Sequence, residues 1–593
     1  MKTLNLSNTI GLKILDLKNQ TTPAVKFKNE QWITSSGTEY YSTIESIAFS
    51  LSALGVKKLT PVAIMAQTQF KWAATDLACL GLGSLVVSVY PNNTPTDVEF
   101  ILQHSESSIL FIENEAVLNS LSEVIHRCKD LQWIVLFSGS SQSKNTLSWD
   151  SFLEKGQKLK IENPEIFKTS CSSLTLNDPA TIIYTSGTTG APKGVLLSHE
   201  QITSEVEEAF SLFGVKSTDV SLSFLPYSHI LGRVDHWAGI YFKYLVCFAE
   251  SIEKIKQNLA EIQPTFFISV PRIFEKIYSA ISAQLESDQL QKYIFNWAQN
   301  VGQKNIDHRL SSQNLSFPLY AQSFLAEKLV FQRVKKFFGG KLRFAISGGA
   351  PLSPSIGNFF LKNGILILEG YGLTETTAAI TVNPPFNYQM GTAGLPIGDV
   401  QIKIADDGEI LIKSKKVMLE YYKNPQQTSE VLKNSWFATG DIGHILPSGH
   451  LQITDRKKDL IKTGGGKYVA PQKLENIFKT YPLISYSIIH GDQRKYITAL
   501  FTLDKENLIK FGQNQNLDFN SWQDLIDKRQ IFDEVRRIVA DVNSQLASYE
   551  SIKKFKILAI EFSVEGGELT PSLKVKRRAL EKKYMNWLNE LYS

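Results

Sequence analysis

A chain of 593 residues, 43% hydrophobic and 20% charged, has the make-up of a folded globular protein and is too long for one core, so at least two domains are expected. Its 63 Lys and Arg against 58 Asp and Glu leave a net charge of +5, too balanced for a protein built to hold nucleic acid. The longest apolar runs, such as residues 77–90, are too short and broken to cross a bilayer, and composition leaves only peripheral membrane contact open.

In chain order, Ile44, Ile47, Leu51 and Leu54 share one helical face, which Gly55 ends. Residues 61–65, 85–89, 107–112 and 133–137 read as strands, with helices over 69–82 and 116–127 between them and a polar loop at 138–145. Such alternation predicts layered α/β units on parallel strands. Further strands are expected at 220–225, 266–270, 342–347 and 365–369. From Asp399 to about Asp441 the pattern turns β-rich with close turns, a small barrel-like part. The charge cluster Asp455-Arg456-Lys457-Lys458-Asp459 marks a linker. Beyond it, strands at 484–490, 498–503 and 556–562 with two helices make a small α+β unit. The expected fold is α/β: a large N-terminal domain over 1–455, then a smaller α+β domain over 456–593. Cys79, Cys128, Cys171 and Cys247 show no C-x-x-C spacing, and Met1-Lys2-Thr3-Leu4-Asn5 opens no secretion signal. Both point to a cytoplasmic protein with buried, reduced thiols.

The most informative stretch is Tyr184-Thr185-Ser186-Gly187-Thr188-Thr189-Gly190-Ala191-Pro192-Lys193-Gly194, directly after a strand. Its glycines let the backbone approach a ligand closely. Backbone N–H groups and the hydroxyls of Thr185, Ser186, Thr188 and Thr189 can surround phosphate oxygens, and Lys193 adds a cation. The spacing is not that of a Walker A loop. A second motif, Glu369-Gly370-Tyr371-Gly372-Leu373-Thr374-Glu375-Thr376, also ends a strand, where α/β folds place ligands. Tyr371 offers a face for adenine, Thr374 a hydrogen bond to phosphate, and Glu375 a hard oxygen for Mg²⁺. In Trp436-Phe437-Ala438-Thr439-Gly440-Asp441, the Asp441 carboxylate suits the two hydroxyls of a ribose. Ser347-Gly348-Gly349-Ala350-Pro351-Leu352 and Lys462-Thr463-Gly464-Gly465-Gly466-Lys467 are glycine turns, each readable alone as a plain turn.

These motifs, in this order over nearly the whole chain, resemble the adenylate-forming enzymes: acyl-CoA synthetases, firefly luciferase and peptide-synthetase adenylation domains. The resemblance implies that Gly348, Gly349 and Ala350 wall the adenine pocket and that Arg456 reaches the ribose. It makes Lys458 the pivot of a mobile C-terminal domain. Lys462 and the Gly464 to Gly466 turn then swing in for thioester formation, and Lys574, in Gly567-Glu568-Leu569-Thr570-Pro571-Ser572-Leu573-Lys574, becomes the adenylation lysine. His229, in Leu225-Pro226-Tyr227-Ser228-His229, takes a positioning role near the acyl and pantetheine entrances. The chain departs from the family pattern at Lys415, Glu420 and Gly464. It also departs at Tyr227, Ser228 and Gly232, changes expected to bear on substrate preference.

Residues 264–278 are similar to the long-chain group, and the helix-prone stretch to Ser347, with Trp297, Phe317 and Phe331, suits an apolar tunnel. Each buried methylene there is worth ~0.8 kcal/mol, although each aromatic taken singly reads better as core. The resemblance therefore implies a long-chain fatty acid–CoA ligase using ATP, Mg²⁺ and CoA. Transfer to an acyl carrier protein, a luciferase-like oxygenase and a non-catalytic nucleotide binder are the alternatives.

Overall fold

The computed structural model describes residues 9–185, 192–286, 289–310, 316–563, 566–570 and 575–593. Among them, two large sheets organise the N-terminal part. In the first, Pro61–Met65, Leu85–Ser88, Ile109–Ile112, Trp133–Leu136 and Pro179–Thr185 run parallel, and Lys193–Ser198 turns back antiparallel beside Pro179–Thr185. Val62, Ala63, Ile64, Val86 and Val87 are buried whichever face they point to, as a parallel sheet covered on both sides requires. The intervening helix Phe70–Leu82 is buried from Trp72 onward and ends on Gly83 at φ 70°, a left-handed cap that glycine adopts without strain.

The second sheet sets Val220–Ser223, Leu245–Phe248, Phe266–Ser269, Phe344–Ser347 and Ile367–Tyr371 parallel. Its register pairs Ser269 with Ser347 and Ser347 with Glu369, so three neighbouring strands end level. The expected β-rich part is an antiparallel sheet of Gln401–Ile404, Glu409–Lys413, Leu432–Lys433, Trp436–Ile445 and Leu451–Arg456. The stretch after residue 270 is helical, as read: Pro271–Glu286, Gln289–Leu310, Phe317–Ala326, a π turn over Glu327–Phe331, and Gln332–Lys336. The helix expected over 116–127 is broken at Leu121 into Glu115–Ser120 and Ser122–Ile125.

The chain after Ile461 has a hydrophobic core of its own, around Phe478, Phe501 and Val535. Its sheet pairs Ile484–His490 with Ile497–Leu503, and Ile552–Leu558 runs parallel to the latter. The third strand therefore starts four residues before the expected 556–562. Ile552 sits opposite Ile497, whereas Phe562 has left the sheet to stack on Tyr584 and pack at a tilt against Tyr486. Among the described residues six helices replace the expected two: Pro471–Phe478, Lys505–Asn514, Trp522–Ile526, Arg529–Asn543, Arg577–Lys583 and Met585–Glu590. Of these only Arg529–Asn543, with Ile531, Val535, Ile538, Val539 and Val542 buried, is long enough to show a clear helical period.

All four cysteines are buried. Burial pushes the thiols of Cys79, Cys171 and Cys247 up to about 12 and that of Cys128 to about 11, so they stay protonated. No helix of the described residues is long and apolar enough to cross a membrane.

Candidate active site

The parallel strands of both sheets deliver their C-terminal ends to one cleft of about 1870 Å³. Thr185, Lys193, His229, Gly348, Gly349, Ala350, Gly370, Tyr371, Gly372, Thr374, Glu375, Asp441 and Arg456 all border it. Six separate segments thus form one place, although their residues span more than 270 positions of sequence.

One wall is tied together around Asp441, which is 3% exposed. Its Oδ2 accepts a hydrogen bond of 2.6 Å from the Tyr371 hydroxyl, and its Oδ1 lies 2.9 Å from Arg456 Nε. The Asp441 N–H donates to Thr439 Oγ1, whose hydroxyl in turn donates to the Ile410 carbonyl. Antiparallel pairing of Asp441 with Arg456 sets this geometry. Burial, reinforced by the Asp441 charge, holds the Tyr371 phenol well above its ordinary range, so it stays a donor. Gly372 is required here: a Cβ would stand 1.4 Å from the Ala378 carbonyl oxygen.

Elsewhere along the cleft, the first and second motifs meet through a residue the sequence did not flag. Glu375, in the short turn Thr374–Thr376, accepts 2.8 Å from the Tyr421 hydroxyl on Oε1. The Lys193 ammonium lies 4.9 Å from the Tyr421 ring centroid. Tyr421 thus links the cation of the phosphate-type loop to the carboxylate suited to a metal. No cluster of three or more metal-ligating side chains occurs among the described residues. A carboxylate joined through Tyr421 to Lys193 suits Mg²⁺, which takes one or two carboxylates plus phosphate oxygens.

Glu369 is the second residue the sequence left without a role. It borders the cleft, its Oε1 accepts from the Leu352 N–H at 2.9 Å, and burial pushes its carboxyl up to about 7. The only signal for it was an acidic side chain closing an apolar strand.

His229 caps the helix Ile230–Phe242, its Nδ1 accepting from the Leu231 N–H at 3.2 Å. A positioning role fits this geometry. Tyr227, Ser228 and Gly232 are turned away from the cleft, against the expectation that they shape substrate preference. Tyr227 is 1% exposed and shares a hydrogen bond with Ser223, while a Cβ on Gly232 would meet the Pro226 carbonyl oxygen at 2.5 Å. Their identities answer to packing. Near the departures at Lys415 and Glu420, the neighbouring Lys416 is fully buried, 3.3 Å from Glu205 and 3.0 Å from Glu208. Glu420 pairs in a short strand with Leu196.

An apolar extension of the cleft is lined by Phe210, Phe213, Val234, Ile268 and Ile346. Trp297, Phe317 and Phe331 do not border it. Phe331 is core, Trp297 packs against the core, and Phe317 faces solvent. The aromatic lining comes instead from the helix His199–Leu212 and the loop after it.

On the C-terminal side, Thr570, Val575 and Lys576 border the cleft. Lys574 lies outside the described residues, as do Ser186, Gly187, Thr188, Thr189 and Gly190. Lys458, Lys462, Gly464, Gly465 and Gly466 are exposed and do not line the cleft. The glycine turn is held against the neighbouring loop, its Gly464 N–H donating to the Arg494 carbonyl at 2.7 Å.

The sequence profile of the AMP-binding enzyme family matches residues 17–422, and that of the AMP-binding enzyme C-terminal domain matches residues 458–593. The chain belongs to the AMP-binding enzyme family. Among its relatives, long-chain-fatty-acid–CoA ligase FadD15 of Mycobacterium bovis is 33% identical over 567 residues, covering 95% of this chain and 93% of that one. Long chain acyl-CoA synthetase 3 of Arabidopsis thaliana is 31% identical, covering 95% and 88%. The fold is that of the anthranilate CoA ligase AuaEII, solved with anthranoyl-AMP, at a TM-score of 0.76, 16% identity and 99% coverage of both chains. A Mycobacterium tuberculosis fatty acyl CoA synthetase superposes at a TM-score of 0.61 with 20% identity, covering 97% and 98%.

Proposed function

We propose that this enzyme is a long-chain fatty acid–CoA ligase: it activates the acid with ATP to an acyl-adenylate and pyrophosphate, then transfers the acyl group to CoA, releasing AMP. The observation that carries the reading is the convergence of Lys193, Glu375 and Asp441 on one cleft that continues into an apolar extension. Asp441 and Arg456 take the ribose, and Gly348, Gly349 and Ala350 with Gly370, Tyr371 and Gly372 take the adenine. Lys193, Thr374 and the loop from Thr185 to Gly190 take the phosphates. Glu375, fixed through Tyr421, holds Mg²⁺, which supplies charge neutralisation on the phosphates. The apolar extension holds the acyl chain, with His229 at its mouth.

Both half-reactions draw on the domain over 456–593, which takes one orientation for each and pivots at Lys458. Thr570, Val575 and Lys576 border the cleft, which supports Lys574 as the group acting at the forming acyl-phosphate bond in this orientation. The glycine turn faces elsewhere, and a rotation that exchanges the two would bring it in with CoA. The N-terminal domain then covers 1–455.

The test is a panel of acids from acetate to long-chain fatty acids with ATP and Mg²⁺, offered CoA or a phosphopantetheinylated carrier protein, with mass analysis of the thioester. Specificity constants should climb with chain length until the extension is full, with CoA as acceptor. Preference for acetate, an aromatic acid or an amino acid overturns the substrate assignment. Thioester on the carrier protein alone overturns the acceptor.

A further inference from the structure

The turn that carries Glu375 is held in an unfavourable shape. Just beyond Thr374–Thr376, Thr377 and Ala378 sit at φ 55° and 79°, the left-handed region that residues with a Cβ rarely enter. Two such residues in succession persist only where the surroundings fix them, and strain of this kind gathers at functional sites. Both are buried, and Ala378 and Ala379 border the cleft.

What fixes them is a buried ion cluster. The ammonium of the fully buried Lys416 lies between Glu205 and Glu208, which share one face of the helix His199–Leu212. A buried ammonium is costly unless paired, and here one helix supplies both carboxylates. Two of the three residues also hold the turn. Glu205 Oε1 accepts from the Ala379 N–H at 2.9 Å, and the Lys416 carbonyl accepts from the Thr377 hydroxyl at 2.8 Å. The left-handed pair is thus gripped from both sides, and the Glu205–Lys416 ion pair closes the ring. Two residues after Lys416, the Met418 N–H donates to the Glu375 carbonyl at 2.7 Å, and Tyr421 on the same stretch binds the Glu375 side chain. An apolar trio would fill the space as well but would leave the Ala379 N–H without its acceptor. Glu205 borders the cleft with Ala209 and Phe210 of its own helix, so the wall of the apolar extension and the Glu375 turn share one support.

We propose that Glu205 and Lys416 are positioning residues for the reaction: their ion pair fixes the strained turn and so aims the Glu375 carboxylate at the metal-bound nucleotide. The inference rests on the reading of Glu375 as the Mg²⁺ carboxylate.

Calorimetric titration of the full chain with ATP, once with Mg²⁺ and once with EDTA in its place, measures what the metal adds to nucleotide binding without any turnover. In the wild type Mg²⁺ should tighten ATP. Glu205→Ala releases the turn and should reduce that gain by about tenfold, with the metal-free Kd within about twofold of the wild type. Glu205→Gln keeps an acceptor for the Ala379 N–H and should restore most of the gain. In turnover, Glu205→Ala should raise the Mg²⁺ concentration at half-maximal rate several-fold. If Glu205→Ala unfolds early, Glu205→Gln with Lys416→Met decides: it removes the ion pair, keeps the volume and should reduce the gain by about fivefold. The proposal is overturned if the deciding variant keeps the full gain, or if its binding with and without Mg²⁺ weakens equally, the mark of a merely structural role. Glu375→Gln, titrated alongside, separates the two readings. If it loses the gain and the deciding variant does not, this inference alone fails. If it keeps the gain, or the wild type shows none, the metal reading fails and takes this inference with it.

Discussion

The two sides of the cleft are built on opposite plans. On the N-terminal side, Asp441, Tyr371, Thr439, Glu375 and Tyr421 are held by hydrogen bonds of 2.6–3.1 Å on strands of fixed register. On the C-terminal side, Lys458 and the Gly464 to Gly466 turn are exposed, and the polar contacts across to the helix Pro271–Glu286 are long. Arg272 reaches Ser485 at 3.3 Å and Asp504 at 4.0 Å, and Glu275 reaches Lys479 at 3.9 Å. Contacts of that length contribute little, so they can be exchanged at small cost. A site that must hold one nucleotide through two reactions profits from a rigid wall. A domain that must present different groups in turn profits from a weak seam.

The sharpest break of this contrast is at Glu375. Glu375→Gln keeps the Tyr421 hydrogen bond and removes the charge, so the wall stays and the metal site goes. Acyl-adenylate formation, followed as pyrophosphate release against Mg²⁺, should fall on the order of 10³-fold with little change in unfolding temperature. A normal rate and normal magnesium dependence would sink the assignment.

On the mobile side, Lys574→Ala should lower acyl-adenylate formation on the order of 10²-fold while leaving thioester formation from supplied acyl-adenylate largely intact. A smaller effect is expected at the pivot. Lys458→Pro stiffens the turn and should slow transfer to CoA by about tenfold to a hundredfold while adenylation continues. If Lys574→Ala loses both half-reactions equally while folded, or Lys458→Pro loses neither, the seam does not work as a hinge.

The same contrast explains what could be read from sequence. Pro61–Met65 and Phe70–Leu82 were legible almost to the residue, because short apolar runs and helical periods are local signals. The motif residues Lys193, Glu375 and Asp441 were legible because close backbone approach and charge leave a dense local pattern. Tyr421 was not: its meaning lies in a hydroxyl pointed at Glu375, 46 positions away. Lys416 drew no reading, since Glu205 and Glu208, which pair with it, come from a distant helix. Phe331 and Trp297 went to the core, as each reads singly, and Phe317 to solvent, so the tunnel expected of them together failed, because composition shows that a segment is apolar but not which way its side chains face.

The smallest effect expected is also the one that isolates burial from chemistry. Glu369 sits on the rigid wall, and burial is the main cause that lifts its carboxyl from 4.5 to about 7, with the Leu352 N–H opposing. A carboxyl whose pKa is higher folded than unfolded binds its proton more tightly in the native state. Its contribution to stability is therefore complete below about pH 4.5 and lost as pH rises through about 7. Glu369→Gln fixes the neutral state and keeps an acceptor for Leu352. At pH 5 the variant and the wild type should unfold at nearly the same denaturant concentration. At pH 8 the variant should be the more stable by on the order of 1 kcal/mol, a figure reduced because the carboxyl borders the solvent of the cleft. Equal stability at both values would mean that Glu369 ionises freely. A variant weaker at both would mean that its carboxylate, and not its burial, is what the wall requires.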